Sequence, residues 1–235
     1  MVDATDAMSN GNAWRKVAVA LKVLFWAFIA KISIGVGLVI MAAVLASAES
    51  FEALESTLSM MRWVMLVVFA VDLVMISALF RYASVPLQSG AQGRAIGAAI
   101  LALLTLGMDI LSALPLLEMN YDMIDADSAW DTLSSIGSLA GFLTLMASFR
   151  ALANHLGRPD LEAMAGRAML LVGIIVAIVL VGGLLAGAAR SEILIILVAL
   201  SAVGIGIWAF VLHLIVIHQL SERTRAESEV ATAFT

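Results

Sequence analysis

Long apolar runs organise this chain. Arg167 and Arg190 bracket a stretch with no charge, Ile193 to Ile217 is interrupted only by His213, and Thr132 to Phe149 holds no charged residue. Three more runs each carry a single charge: about 23–47 with Lys31, 62–81 with Asp72, and 95–117 with Asp109. A helix needs about 20 mostly apolar residues to cross a hydrocarbon core of about 30 Å. The pattern therefore predicts six transmembrane helices, at about 23–47, 62–81, 95–117, 132–152, 168–189 and 193–217, within a domain covering 14–220. Trp14 to Lys22 reads as an interfacial lead-in to the first span. Residues 1–13 read as a disordered cytoplasmic tail, and 221–235 as a second cytoplasmic tail. Continuous apolar character excludes the period-two alternation of an outer-membrane barrel. Lipid offers no partner to an open backbone, so helices remain as the spanning structure. The expected fold is an all-α polytopic membrane helical bundle.

Composition agrees. Hydrophobic residues make up 63% and charged residues 13% of the 235 positions, against about 45–50% and about 25% in soluble domains. A water-soluble fold would lack the polar residues to cover its core. The absence of cysteine removes disulfides, thiol catalysis and Cys-type metal sites. A net charge of −5 with no basic patch argues against nucleic acid as a partner.

Charge placement sets an orientation. Arg15, Lys16 and Lys22 precede span one; Arg81 and Arg94 join spans two and three; Arg150, Arg158 and Arg167 join spans four and five; Arg223 and Arg225 follow span six. The opposite side has Arg62 and Arg190 together with half of the acidic residues, Glu49, Glu52, Glu55, Glu118, Asp122, Asp125, Asp127, Asp131 and Glu192. The positive-inside rule then predicts both termini in the cytoplasm of a bacterial inner membrane. Arg81, Arg94, Arg150, Arg158 and Arg167 are expected at the headgroups, where a guanidinium meets lipid phosphate.

The two internal cytoplasmic connections read alike. Phe80-Arg81, Pro86 and Gly93-Arg94-Ala95 match Phe149-Arg150, Pro159 and Gly166-Arg167-Ala168, with the same interval from Pro to Gly. This suggests three tandem helical hairpins, spans 1–2, 3–4 and 5–6, as in transporter folds built from parallel repeats. An equally good account is that arginine at a cytoplasmic helix end is what topology demands. Gly157 is a candidate C-cap and Pro159 suits the first turn of the next helix.

Charges within spans are costly and are functional candidates by default. Asp72 lies about ten residues from either end of span two, near the midplane. Asp109 shares a helix face with Thr105 and Ser112 by i−4 and i+3 spacing, and that stripe should face protein. Lys31 is within reach of Asp72 if the first hairpin packs closely. Lys31, Asp72, Asp109, Thr105 and Ser112 thus form a candidate proton or cation relay. The competing account is a buried Lys31–Asp72 pair fixing helix register, with Asp109 neutral or hydrogen-bonded. Two aspartates on adjacent spans also resemble the pair of intramembrane aspartyl proteases, but Gly107-Met-Asp109 lacks that family's Gly-x-Gly-Asp pattern.

His155, His213 and His218 are expected near the cytoplasmic face as satisfied interfacial side chains, since a spacing of five does not align His213 with His218. The acidic stretch 118–131 lacks the regular spacing and glycine of a calcium loop. Gly93/Gly97, Gly137/Gly141 and Gly183/Gly187 match GxxxG, and span four extends its small face through Thr144 and Ser148. These read as packing contacts within the bundle. Pro115 should kink the outer end of span three.

No nucleophile elbow, HExxH, P-loop or dinucleotide fingerprint occurs, so neither an enzyme nor a cofactor or metal site is expected. The leading expectation is a structural or accessory membrane component, in the bilayer with another membrane protein or a second copy of the chain as partner. The alternative is a small carrier or channel for protons, cations or a small solute using Asp72 and Asp109. Five polar side chains on three spans are few for a solute pathway.

Overall fold

The computed structural model describes residues 4–46, 51–117 and 129–233. The acidic stretch between spans three and four falls largely outside them. Six helices follow in order: α1 (Ala4–Ala46), α2 (Phe51–Tyr82), α3 (Gln92–Leu117), α4 (Ala129–His155), α5 (Pro159–Ala189) and α6 (Glu192–Ala233). All six contain a stretch long and apolar enough to cross a membrane, and the chain is a polytopic membrane helical bundle. α3 runs past Pro115 to Leu117.

The helices close into a ring. α1 packs most extensively on α6, and within the pairs α1–α2, α3–α4 and α5–α6 the contacts are denser than between α2 and α3 or α4 and α5. The pairing accommodates three tandem hairpins, although the most extensive packing, α1 on α6, joins the first of them to the last.

The two connections between these pairs are built differently, despite their matching prolines. Pro86 starts a 3₁₀ turn, Leu87–Ser89, which Gly90 ends in the left-handed region at φ 64° before α3 begins. Pro159 starts α5 itself. Ahead of it, Gly157 at φ 64° ends α4. The Gly157 amide bonds the Asn154 carbonyl and the Arg158 amide bonds the Ala153 carbonyl, the paired pattern of a Schellman cap. Arg190, also left-handed at φ 48°, ends α5 without glycine.

Both expected tails continue the terminal helices over the described residues. α1 begins at Ala4, and α6 continues to Ala233. Hydropathy misses the C-terminal extension because packing sustains it. Ser221, Thr224 and Ser228 are buried at helical spacing, and the Ser221 hydroxyl donates to the Ala18 carbonyl of α1 at 3.3 Å. Arg225 reaches Glu229 at 3.1 Å across one turn, a pair of the kind that supports an exposed helix face.

Apart from Leu106 and Ala113, the buried apolar side chains of the described residues gather toward the arginine-rich end. Val17, Leu21 and Leu24 of α1 meet Leu79 and Tyr82 of α2, Met146, Phe149 and Leu152 of α4, and Val216, Ile217 and Leu220 of α6. The Tyr82 and Ser148 hydroxyls are 3.0 Å apart, and Ser148 donates to the Ala91 carbonyl at 2.9 Å. Tyr82 is therefore the donor to Ser148, and the α2–α3 connection is bolted onto α4. Toward the other end, side chains such as Val39, Trp63, Leu184 and Ile196 are exposed, as lipid-facing residues should be.

Small residues set the α3–α4 distance. A Cβ on Gly97 would stand 3.5 Å from Thr144, one on Gly141 3.6 Å from Leu101, and one on Gly137 only 2.7 Å from Thr105 Oγ1. The α3 and α4 glycine pairs thus act largely as read, although Gly93 meets nothing. Gly183 and Gly187 also meet nothing within 4 Å, and α5 instead approaches α6 through Gly182, where a Cβ would be 2.5 Å from Val198.

Candidate functional site

Above the packed arginine-rich end, the ring leaves a half-open cavity of about 560 Å³ to which all six helices contribute. Lys31, Asp72, Thr105 and Asp109 line it together, joined by Ser138 from α4. Most of the remaining wall is apolar and includes Phe28, Met75, Phe142 and Phe210. A second hollow of about 800 Å³ lies between α1 and α2, lined mostly by apolar side chains including the exposed Trp26 and Trp63. It faces the lipid and offers little to chemistry.

The cavity's charges are held in two ways. Lys31 Nζ donates to Asp72 Oδ1 at 2.6 Å, and the Lys31 side chain is 43% exposed where that of Asp72 is 6% exposed. Asp109 is half-buried and accepts a short hydrogen bond from the Ser134 hydroxyl of α4. Among the described residues no cation lies within ion-pairing distance of Asp109. Asp72 has its counter-charge inside the protein, and among the described residues the Asp109 carboxylate is met by a hydroxyl alone.

Thr105 donates to the Leu101 carbonyl one turn back at 2.8 Å, and its side chain is pinned between α3 and Gly137. Ser112 sits on the same helix but outside the cavity wall, its hydroxyl donating to the Asp109 main-chain carbonyl at 3.2 Å. Four of the five relay candidates are thus collected and one is not. Ser134 and Ser138 were not singled out from the sequence. Ser134 continues the Gly137–Gly141–Thr144–Ser148 face of span four outward by one turn, Ser138 lies one turn from both Ser134 and Gly141, and that periodicity is the signal that finds them.

His213 overturns an expectation. It is fully buried, not interfacial, and no described residue hydrogen-bonds either ring nitrogen. Phe28, Phe142, Phe149 and Phe210 surround it with ring centroids 4.5, 5.0, 5.9 and 6.3 Å away. Three of these rings also line the cavity, so the histidine and its aromatic cage form the floor between the cavity and the arginine-rich end. His155 and His218 are exposed, stacked on Trp14 at 6.0 Å and tilted against Phe25 at 5.5 Å.

The arginines expected at lipid headgroups lie within the helix turns and connections of one end of the bundle, and three have protein partners. Arg94 donates to the Ala147 carbonyl at 3.1 Å, Arg150 pairs with Glu162 at 3.1 Å, and Arg158 pairs with Asp160 at 2.6 Å. Arg81 and Arg167 are exposed and remain best suited to phosphate.

No family model, curated protein or solved structure matches this chain.

Proposed function

We propose that the chain is a small carrier of the bacterial inner membrane, with both termini in the cytoplasm, moving protons, cations or a small solute through a site built on Asp72 and Asp109. One observation carries this reading: Lys31, Asp72, Thr105 and Asp109, from three helices, line a single cavity of about 560 Å³. Helical cores ordinarily pack to crystal-like density, and every unfilled volume costs stability. A scaffold has no use for such a void with two carboxylates on its wall. An accessory role accounts for the scarcity of polar side chains but leaves the cavity unexplained.

The arrangement suits alternating access. The aromatic floor and the packed end beneath it close the cavity toward the arginine-rich side, which the charge distribution assigns to the cytoplasm. The Lys31–Asp72 pair is a contact that can be exchanged, since an arriving cation or proton at Asp72 frees the lysine. Site and gate lie in different layers of the same ring, as a carrier requires.

The test is flux in liposomes containing the purified protein, Asp72→Asn or Asp109→Asn. Dissipation of an imposed pH gradient or entry of a cation that is present in wild type and lost in either variant supports the carrier. Wild-type liposomes no leakier than protein-free ones, for protons, cations and organic cations alike, return the chain to the accessory role.

A further inference from the structure

We infer that the cavity takes an amphiphilic organic cation, with its positive head at Asp109 and its apolar body against Phe28, Phe142 and Phe210. This rests on the carrier reading and names the substrate class of the same site.

The lining decides between ligand classes. Its ionisable groups are Lys31, Asp72 and Asp109; the first two already neutralise each other at 2.6 Å, which leaves the Asp109 carboxylate to set the sign. An anion is disfavoured. A bare metal ion wants about six oxygen ligands or more in place of its water shell, and Asp109, Thr105 and Ser138 fall short of that. A sugar-like solute would leave most of its hydroxyls against hydrocarbon. A purely apolar molecule would gain nothing from a carboxylate whose desolvation it must drive. An organic cation meets each demand: its charge is spread or needs few ligands, its body is apolar, and aromatic faces attract it. The cavity volume falls within the range of about 300–1,000 Å³ that accommodates small organic ligands.

Tetraphenylphosphonium and tetraphenylborate have nearly the same shape and opposite charge, and they isolate the electrostatic part of the claim. Equilibrium binding of radiolabelled tetraphenylphosphonium to the purified full chain in detergent should be saturable, and radiolabelled tetraphenylborate, measured in a separate sample, should show no saturable binding. Asp109→Asn should weaken binding at least about tenfold and Asp109→Glu should restore most of it, with gel filtration confirming that each variant is folded. Phe142→Leu should weaken binding by a smaller factor. Absent saturable binding, equal binding of the borate, or an Asp109→Asn variant that binds as wild type would each overturn the inference. The two readings separate cleanly. Phosphonium binding without any flux sinks the carrier and keeps the cation pocket, whereas Asp109-dependent proton flux without phosphonium binding keeps the carrier and sinks the substrate class.

Discussion

Lys31 of α1 and Asp72 of α2 form an ion pair of 2.6 Å on the wall of the cavity, with the carboxylate buried and the ammonium partly open. Breaking such a pair from one side leaves a charge without its partner, whereas replacing both members restores apolar packing. Lys31→Met should therefore destabilise the bundle by about 1–3 kcal/mol, less than a fully enclosed pair because the lysine side chain is 43% exposed. The double variant Lys31→Met/Asp72→Leu should return to within about 1 kcal/mol of wild type. Thermal unfolding in detergent reads both. A double variant as unstable as the single one would mean that the pair does not act as a unit.

The α3–α4 spacing makes a sharper prediction, because one missing methyl sets it. Alanine at Gly137 would put a Cβ 2.7 Å from Thr105 Oγ1 and 3.8 Å from Thr105 Cβ. Gly137→Ala should cost about 1–3 kcal/mol through overpacking. Thr105→Ala removes the hydroxyl that clashes and leaves an ordinary contact, so Gly137→Ala/Thr105→Ala should regain most of that loss. A double-mutant cycle on thermal stability measures the coupling. Additive losses would show that the helices do not meet at this point.

These two relationships differ in how far the sequence revealed them. Lys31 and Asp72 were readable as partners because span length gives depth, and a charge in an apolar run must find a counter-charge nearby. The small face of span four was readable from its period. The partner of Asp109 was not, since Ser134 reaches it only in the register that Gly137 allows against Thr105, and register between spans is a tertiary property. The helical extension at the C-terminal end escaped for a related reason: Ser221 and Thr224 look solvated by hydropathy, yet the packing of α6 buries them. The cavity itself is a failure of side chains to meet, which no local pattern encodes.

His213 was the largest misreading, and it supplies a test with an unusual sign. A single histidine in an apolar run carries no mark of whether it faces lipid, protein or headgroup. Its two ring nitrogens are buried among four phenylalanines without a hydrogen-bond partner among the described residues. An unsatisfied buried polar group costs about 1–3 kcal/mol. His213→Leu should accordingly keep the fold and raise the unfolding temperature, where most core substitutions lower it. In the same preparation, phosphonium binding should persist, because the histidine lies behind the cavity wall, while flux through the aromatic floor should change. A marked loss of stability in His213→Leu would reveal that the imidazole has a partner.

Topology can be tested apart from function, since the chain contains no cysteine and single substitutions report without background. Gln88 lies exposed in the α2–α3 connection, Glu222 is exposed on the α6 extension, and Ala189 is exposed at the end of α5. Helices that alternate in direction put Gln88 and Glu222 at one end of the bundle and Ala189 at the other. The proposed orientation, which follows the arginines beside the first two sites, puts their end in the cytoplasm. A membrane-impermeant maleimide applied to intact cells should label Ala189→Cys, and should label Gln88→Cys and Glu222→Cys only after the inner membrane is permeabilised. The reverse pattern would invert the orientation and turn the closed floor of the cavity outward, so the carrier would be captured open to the cytoplasm. Labelling of Gln88→Cys and Ala189→Cys from one side would break the six-span bundle itself.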